Sequence, residues 1–492
     1  MPSYVFFLLA LAALLGGYFI YSRVIESLFG ANWGRPTPAN TMADGVDYVV
    51  LPRWKIFMIQ LLNIAGVGPV FGPILGALYG PSALLWIVIG SIVAGGVHDY
   101  FSGMMSVRYN GTSLPDVVGY TLGSYFKQFM RGFSIILLVL VGVVFVTAPA
   151  GLLAKVCSGN FAFATMNFWV VVIFCYYFLA TVLPIDVIIA RIYPLFAIVL
   201  LIMAFGVGGM MFIDGYTFYA WTPPEGVGIF GNQHPRGLPL WPMMFITIAC
   251  GALSGFHATQ SPIMSRCLPD EKCGRGIFYG AMIAEGIIGL IWATAGMTLY
   301  DSAPALMKAG GPAVVVDYVC HHLMGPIGGV LAILGVVALP VTSGDTAFRA
   351  ARLIVADFTG ISQAKPQNRL MIAVPMFAIG IVLSQVDFNI IWRYFGWSNQ
   401  TLATVVLWSA AAYVVRRGGC HWLISLPATF MTATVFTYIL YAPEGLRLDY
   451  TVSVGIGCTI AAASLAVFLS KANWFRDNVP LELEPVANAA PA

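Results

Sequence analysis

Charge is what this chain has least of. Asp, Glu, Lys and Arg make up 9% of its 492 residues, against about 25% in soluble domains. So few charges cannot cover a water-facing surface, so lipid must solvate most of the exterior. Paired cysteines are missing as well. The eight cysteines are scattered and none forms a C-x-x-C pair, which points to buried, reduced thiols rather than a metal knuckle or a disulfide framework. No G-x-x-x-x-G-K-[ST] run occurs, so no ATP-binding phosphate loop is expected. With a net charge of +3 and no dense Lys/Arg cluster, nucleic acid is not a partner. The apolar N-terminus lacks the basic start of a secretory signal and reads as a first spanning helix that stays attached.

What is present is apolar sequence, 59% of the chain, in runs near twenty residues. Runs of that length favour spanning helices over the shorter alternating strands of a β-barrel. The expectation is an all-α integral membrane protein with about thirteen transmembrane helices, at 4–22, 56–80, 82–106, 132–153, 168–184, 189–213, 241–264, 276–300, 325–348, 370–386, 389–414, 421–441 and 450–470. The span 389–414 is interrupted by Arg393, Trp397, Asn399 and Gln400. Segment 215–240 is a Gly/Pro-rich loop, and 307–324, with His321 and His322, reads as a short surface helix. The domain reading is an extra N-terminal helix in 1–30, a transporter core in 56–415, two C-terminal helices in 416–475 and a disordered tail in 476–492.

Positive charge tests this layout. Of the 24 Lys and Arg, five (Lys155, Arg236, Lys308, Arg393 and Arg447) fall on one side and the remaining 19 on the other. The positive-inside rule then puts the N-terminus outside and the C-terminus in the cytoplasm.

Two spans look broken. The first carries Asn63, Gly66, Gly68, Pro69, Gly72, Pro73 and Gly76; the second carries Ser254, Gly255, His257, Thr259, Gln260, Ser261 and Pro262. Gly and Pro weaken a helix, and irregular backbone at membrane depth needs a protein-lined cavity. These are the second and seventh spans, five apart, an odd repeat that inverts the second copy. Paired broken helices in inverted halves point to a transporter binding site. Their freed amides suit a carboxylate and their freed carbonyls a cation. Glycines that merely let helices pack closely are the alternative.

Ionisable groups inside spans are costly and mark function. Thr342, Asp345, Thr346 and Arg349 share one helix face by their i, i+3, i+4, i+7 spacing, a set suited to a proton or a hard cation. An internal Asp345–Arg349 ion pair is the alternative. His98 and Asp99 form a proton relay, a ligand contact or a helix cap. His257 contacts an anionic substrate or is a satisfied core histidine. Glu285 is a proton site or has an unidentified partner.

The run 66–76, the stretch Gly95–Arg108, Ser254–Ala258 and Thr342–Arg352 together resemble the carbon starvation protein A family, over roughly residues 30–390. The resemblance implies the LeuT-type fold of the amino acid–polyamine–cation superfamily, with a five-plus-five inverted-repeat core and the broken helices as its first and sixth members. It implies a transporter of peptides or pyruvate, induced when carbon is scarce and coupled to protons. It also implies that the eighth core helix, with Thr342, Ser343 and Asp345, supplies a cation site beside the first broken helix. This chain ends about two helices beyond that core, where better-known members of the family run longer.

Together these readings give a secondary transporter, not an enzyme, in the inner membrane. Its substrate would be a short peptide, an amino acid or a monocarboxylate. The expected substrate contacts are Asn63, Gly66, Gly68, Gly72, Ser254, Gly255, His257 and Gln260. The expected ion-coupling residues are Thr342, Ser343, Asp345, Thr346, Asp99 and His98, with H+ ahead of Na+ and no cofactor or metal. The competing class is a membrane redox protein that holds haem or metal through His98 and His257. No H-x-x-x-H spacing supports it. Nothing in the pattern specifies an oligomeric state.

Overall fold

The computed structural model describes residues 4–45, 48–157, 163–182, 185–219, 221, 223, 225–363 and 365–484. Among them the regular structure is all helical. Helix covers each of the thirteen expected stretches, but not as thirteen simple spans. Eight described helices are long and apolar enough to cross a membrane alone, and two bent pairs raise the number to ten. The first helix, Tyr4–Phe29, and Tyr450–Ser470 turn Leu9, Ile20, Val452 and Val467 outward. Ser82–Arg108, Ser124–Cys157 and Arg275–Thr298 are mostly buried and form the interior. Lipid solvates the first set, while the second carries the polar groups that lipid would reject.

The first broken span behaves as its glycines and prolines dictate. Helix Arg53–Ala65 stops at Gly66, whose φ of 48° an L side chain rarely adopts, and helix Gly68–Tyr79 restarts at an angle of 47°. A Cβ on Gly66 would lie 2.3 Å from the Phe145 ring, so space as well as φ requires glycine there. The second broken span stops after Phe245–Thr247, unwinds, turns through Gly251 at φ 88°, and restarts as Gly255–Ser265.

The 48-residue helix Pro312–Thr359 bends by 77°. Its first part, with His321 and His322, is thus set apart from the span that follows, close to the separate short helix expected there. The interrupted span is a continuous helix, Phe388–Arg417. Its polar residues serve neighbours: Gln400 Nε2 donates to Phe245 O at 3.1 Å and Trp397 Nε1 to Val435 O at 3.3 Å. Of the eight cysteines, Cys250, Cys267, Cys273 and Cys320 are buried, whereas Cys175, Cys420 and Cys458 are exposed. Uniform burial was therefore too simple an expectation.

The tail needs a correction. Residues 476–484 are not disordered: Ala472–Asn478 is helical, Val479 is buried, and Leu483 N donates to Arg108 O at 3.0 Å. Acidic composition suggested solvation, but apolar residues alternate with the acids and give the segment one face to bury. Residues 485–492, also assigned to the tail, lie outside the described residues.

Candidate functional site

The two breaks meet. A Cβ on Gly68 would lie 2.1 Å from Cys250 Cβ, and one on Gly72 would lie 3.1 Å from Thr247 O. Gly68 and Gly72 were both expected to contact a substrate, Gly68 through its backbone amide. Their Cα faces pack against the other broken span, as in the close-packing alternative.

Beside this crossing, three spans contribute one ionisable chain. His98 Nδ1 lies 2.7 Å from Asp99 Oδ1, His257 Nδ1 lies 2.8 Å from Asp99 Oδ2, and His257 Nε2 lies 3.2 Å from Glu285 Oε2. All four side chains have no solvent exposure. Burying so many charges is tolerable only because they pair. The backbone is shaped for it: a π-helical turn, Gly90–Gly95, precedes His98, and such turns recur at functional sites. Ser91 Oγ in that turn donates to Gly251 O at 2.9 Å, tying it to the second break.

The second half-helix is capped from another span. Asn399 Oδ1 accepts Phe256 N at 2.6 Å and Ser254 Oγ at 3.2 Å, while its Nδ2 donates to Ser254 Oγ at 3.0 Å. The freed amide and hydroxyl expected to meet a substrate carboxylate therefore hold an amide oxygen here. Gly255 permits this, because a Cβ there would lie 2.4 Å from Asn399 O.

Asn63 and Gln60 lie one helical turn apart on the first half-helix. Both are fully buried, and both oxygens and nitrogens of their amides lack hydrogen-bond partners among the described residues. Gln260 Nε2 donates to Thr259 Oγ1 at 2.9 Å, and its Oε1 is likewise unpartnered among them. Gln60 was missed from sequence. Its i, i+3 relation to Asn63 was the available signal.

The expected ion-coupling residues divide. Ser343 Oγ donates to Leu62 O at 2.6 Å, so helix Pro312–Thr359 touches a carbonyl one turn before the first break. Thr342 and Thr346 donate to carbonyls of their own helix. Asp345 lies beside Tyr176 and Tyr177 and 4.0 Å from Arg349, the ion-pair alternative. His98 and Asp99 instead join His257, which sequence reasoning had placed with the substrate contacts, and Glu285, for which no partner was known.

For metals, Cys250, His257 and Glu285 bring ligand atoms within 4.8 Å of one another. A thiolate, an imidazole and a carboxylate suit an ion of the zinc class. Here Nδ1 of His257 is taken by Asp99, while Nε2 faces Glu285 at 3.2 Å without a hydrogen bond among the described residues.

A profile of the carbon starvation protein CstA family matches residues 2–210, 154–316 and 294–438. An uncharacterized membrane protein of Haemophilus influenzae is 44% identical over 345 residues, covering 62% of this chain and 93% of that protein. A peptide transporter CstA of Bacillus subtilis is 27% identical over 511 residues, covering 83% of this chain and 84% of the relative. Among solved structures, a nucleobase–cation-symport-1 family transporter, closed with bromovinylhydantoin bound, superposes with a TM-score of 0.55 at 14% identity, covering 88% of this chain and 94% of that one. MhsT in complex with L-phenylalanine gives a TM-score of 0.53 at 14% identity, covering 86% and 99%. At that identity the likeness is one of fold, and the fold is that of the LeuT-type transporters.

Proposed function

The chain belongs to the carbon starvation protein CstA family and is a multi-pass membrane transporter, and from that premise we propose that it imports a small carboxylate-bearing nutrient across the inner membrane, driven by the proton gradient. The substrate class is a short peptide, an amino acid or pyruvate, and the protein is made when carbon is scarce. In this reading the core is a five-plus-five inverted repeat, with the N-terminus outside and the C-terminus in the cytoplasm.

The observation that carries the proposal is the meeting of two broken helices beside the buried chain His98–Asp99–His257–Glu285. Two imidazoles and two carboxylates in contact take up or release a proton without leaving an isolated charge, which suits coupling to protons. Ser343 beside the first break would steady the bound state. The unpartnered amides of Gln60 and Asn63, with the unpartnered Oε1 of Gln260, favour a polar cargo. Each buried group left unpaired costs about 1–3 kcal/mol, which a bound carboxylate, amine or peptide group offsets. Ser254 and Phe256 N would exchange Asn399 for the substrate carboxylate as the helices rock.

The redox alternative has the Cys250–His257–Glu285 grouping in its favour. Against haem, Nδ1 of both His98 and His257 is taken by Asp99. Uptake into proteoliposomes tests the proposal. Labelled pyruvate, alanine and a dipeptide are each offered with a proton gradient, a sodium gradient or neither. One substrate should accumulate under the proton gradient. Accumulation under sodium alone, or none from folded protein, would contradict it. Metal analysis and an absorbance spectrum of the same protein test the alternative.

A further inference from the structure

Residues 479–484 read Val-Pro-Leu-Glu-Leu-Glu. Leu481 and Leu483 are half-buried and Glu482 and Glu484 exposed, the period-2 pattern of an extended chain with one face on protein. Pro480 has no N–H to leave unpaired. The segment lies across the face that the positive charges assign to the cytoplasm, and three of its bonds fall on residues 108–110. Tyr109 OH donates to Pro480 O at 2.7 Å, Leu483 N to Arg108 O at 3.0 Å, and Asn110 Nδ2 to Glu484 O at 2.8 Å. Tyr413 OH from a separate span donates to Leu481 O at 3.1 Å.

Charges reinforce the clamp. Glu482 pairs with Arg35 and lies 4.0 Å from Arg108 Nη1. Arg108 Nη2 reaches the buried Glu271 at 2.8 Å, and Glu271 also accepts Asn32 N at 2.7 Å. The tail, the loop after the second broken helix and the segment after the first helix are thereby joined through Arg35 and Arg108.

The clamped loop has a task. Just past Asn110, Gly111 O accepts Arg266 Nε at 2.9 Å. Ser113, Leu114 and Arg266 then line a cavity of about 20 Å³, together with Thr259 and Ile263 of the second broken helix and Leu353 of the helix opposite. That is room for about one water. The cavity runs along the helix that carries His257 and Gln260, on its cytoplasmic side.

We propose that residues 479–484 are a latch that holds the 108–113 loop, and with it Arg266, over this nearly closed inner passage. Release of the tail frees the loop and favours the inward-open form. The proposal builds on the transporter reading, but its test needs no transported substrate, so the two can fail separately.

The test uses a Leu353→Cys reporter in the full chain and a membrane-impermeant maleimide. The labelling rate is read over the background of the parent protein. Deleting residues 479–492, or reversing one charge with Glu482→Arg, should speed labelling by about tenfold, the factor expected when the net worth of one or two hydrogen bonds is lost. Adding Arg35→Glu to Glu482→Arg should return the rate towards that of the reporter alone. Unchanged labelling in both Glu482→Arg and the deletion, with monodisperse protein, would overturn the latch.

Discussion

His257 stands between two carboxylates, 2.8 Å from Asp99 and 3.2 Å from Glu285, so its removal should not act like an ordinary core truncation. His257→Leu keeps most of the volume but strands Glu285, while Asp99 keeps His98 at 2.7 Å. Breaking a buried pair this way costs about 3–5 kcal/mol, because an uncompensated charge stays behind. Glu285→Gln alone removes the charge but leaves an amide that His257 can still hydrogen-bond, and should cost no more than about 1.5 kcal/mol. Combined, the two changes leave no stranded carboxylate. Glu285→Gln should therefore destabilise the native chain but stabilise the His257→Leu chain, with an interaction of about 1–3 kcal/mol. The assay is reversible unfolding of the four proteins in mixed micelles. Costs that add to within about 0.5 kcal/mol would show that Glu285 and His257 do not depend on one another, and the ionisable chain would fall with them.

Two more predictions test other parts. Gly68→Ala should abolish uptake, because its Cβ would lie 2.1 Å from Cys250 Cβ, and Cys250→Gly should restore it in the double variant; failure of that rescue refutes the close crossing. In the loop that precedes the second broken span, burial and then Arg236 push the His234 imidazole down from 6.5 to about 4, in line with its Nδ1 accepting Arg236 N at 3.2 Å. The folded protein then resists a proton that the unfolded chain accepts. The His234 contribution is complete above pH 6.5 and is lost as pH falls towards 4. Melting temperature against pH should fall less steeply over that window in His234→Gln than in the native chain, and parallel curves refute the assignment.

Much of the fold was legible because spanning helices and their interruptions are local features. Twenty apolar residues make a helix wherever they fall, and Gly66 and the 250–255 stretch break one by the chemistry of glycine itself. Pairing across spans was not legible. Asp99, His257 and Glu285 lie on three different helices, and no periodicity within one helix tells which neighbour its polar residue meets. Asn399 looked like a flaw in an apolar span, yet it caps another helix. Gly68 and Gly72 were ambiguous in kind, since the same missing side chain admits a ligand or a neighbouring helix. Asp345 and Arg349 share a face, as their spacing required, but that face turns towards Tyr176 and Tyr177. The tail was misread because composition was weighed before alternation.

The most direct test of proton coupling is substrate-driven proton entry. Proteoliposomes loaded with a pH-sensitive dye receive the accumulated substrate from outside, with no gradient imposed. The native protein should acidify the interior as substrate enters. Asp99→Asn, which removes the carboxylate shared by His98 and His257, should lose acidification while still binding substrate. Substrate entry without acidification in the native protein, or acidification undiminished in Asp99→Asn, would contradict the account.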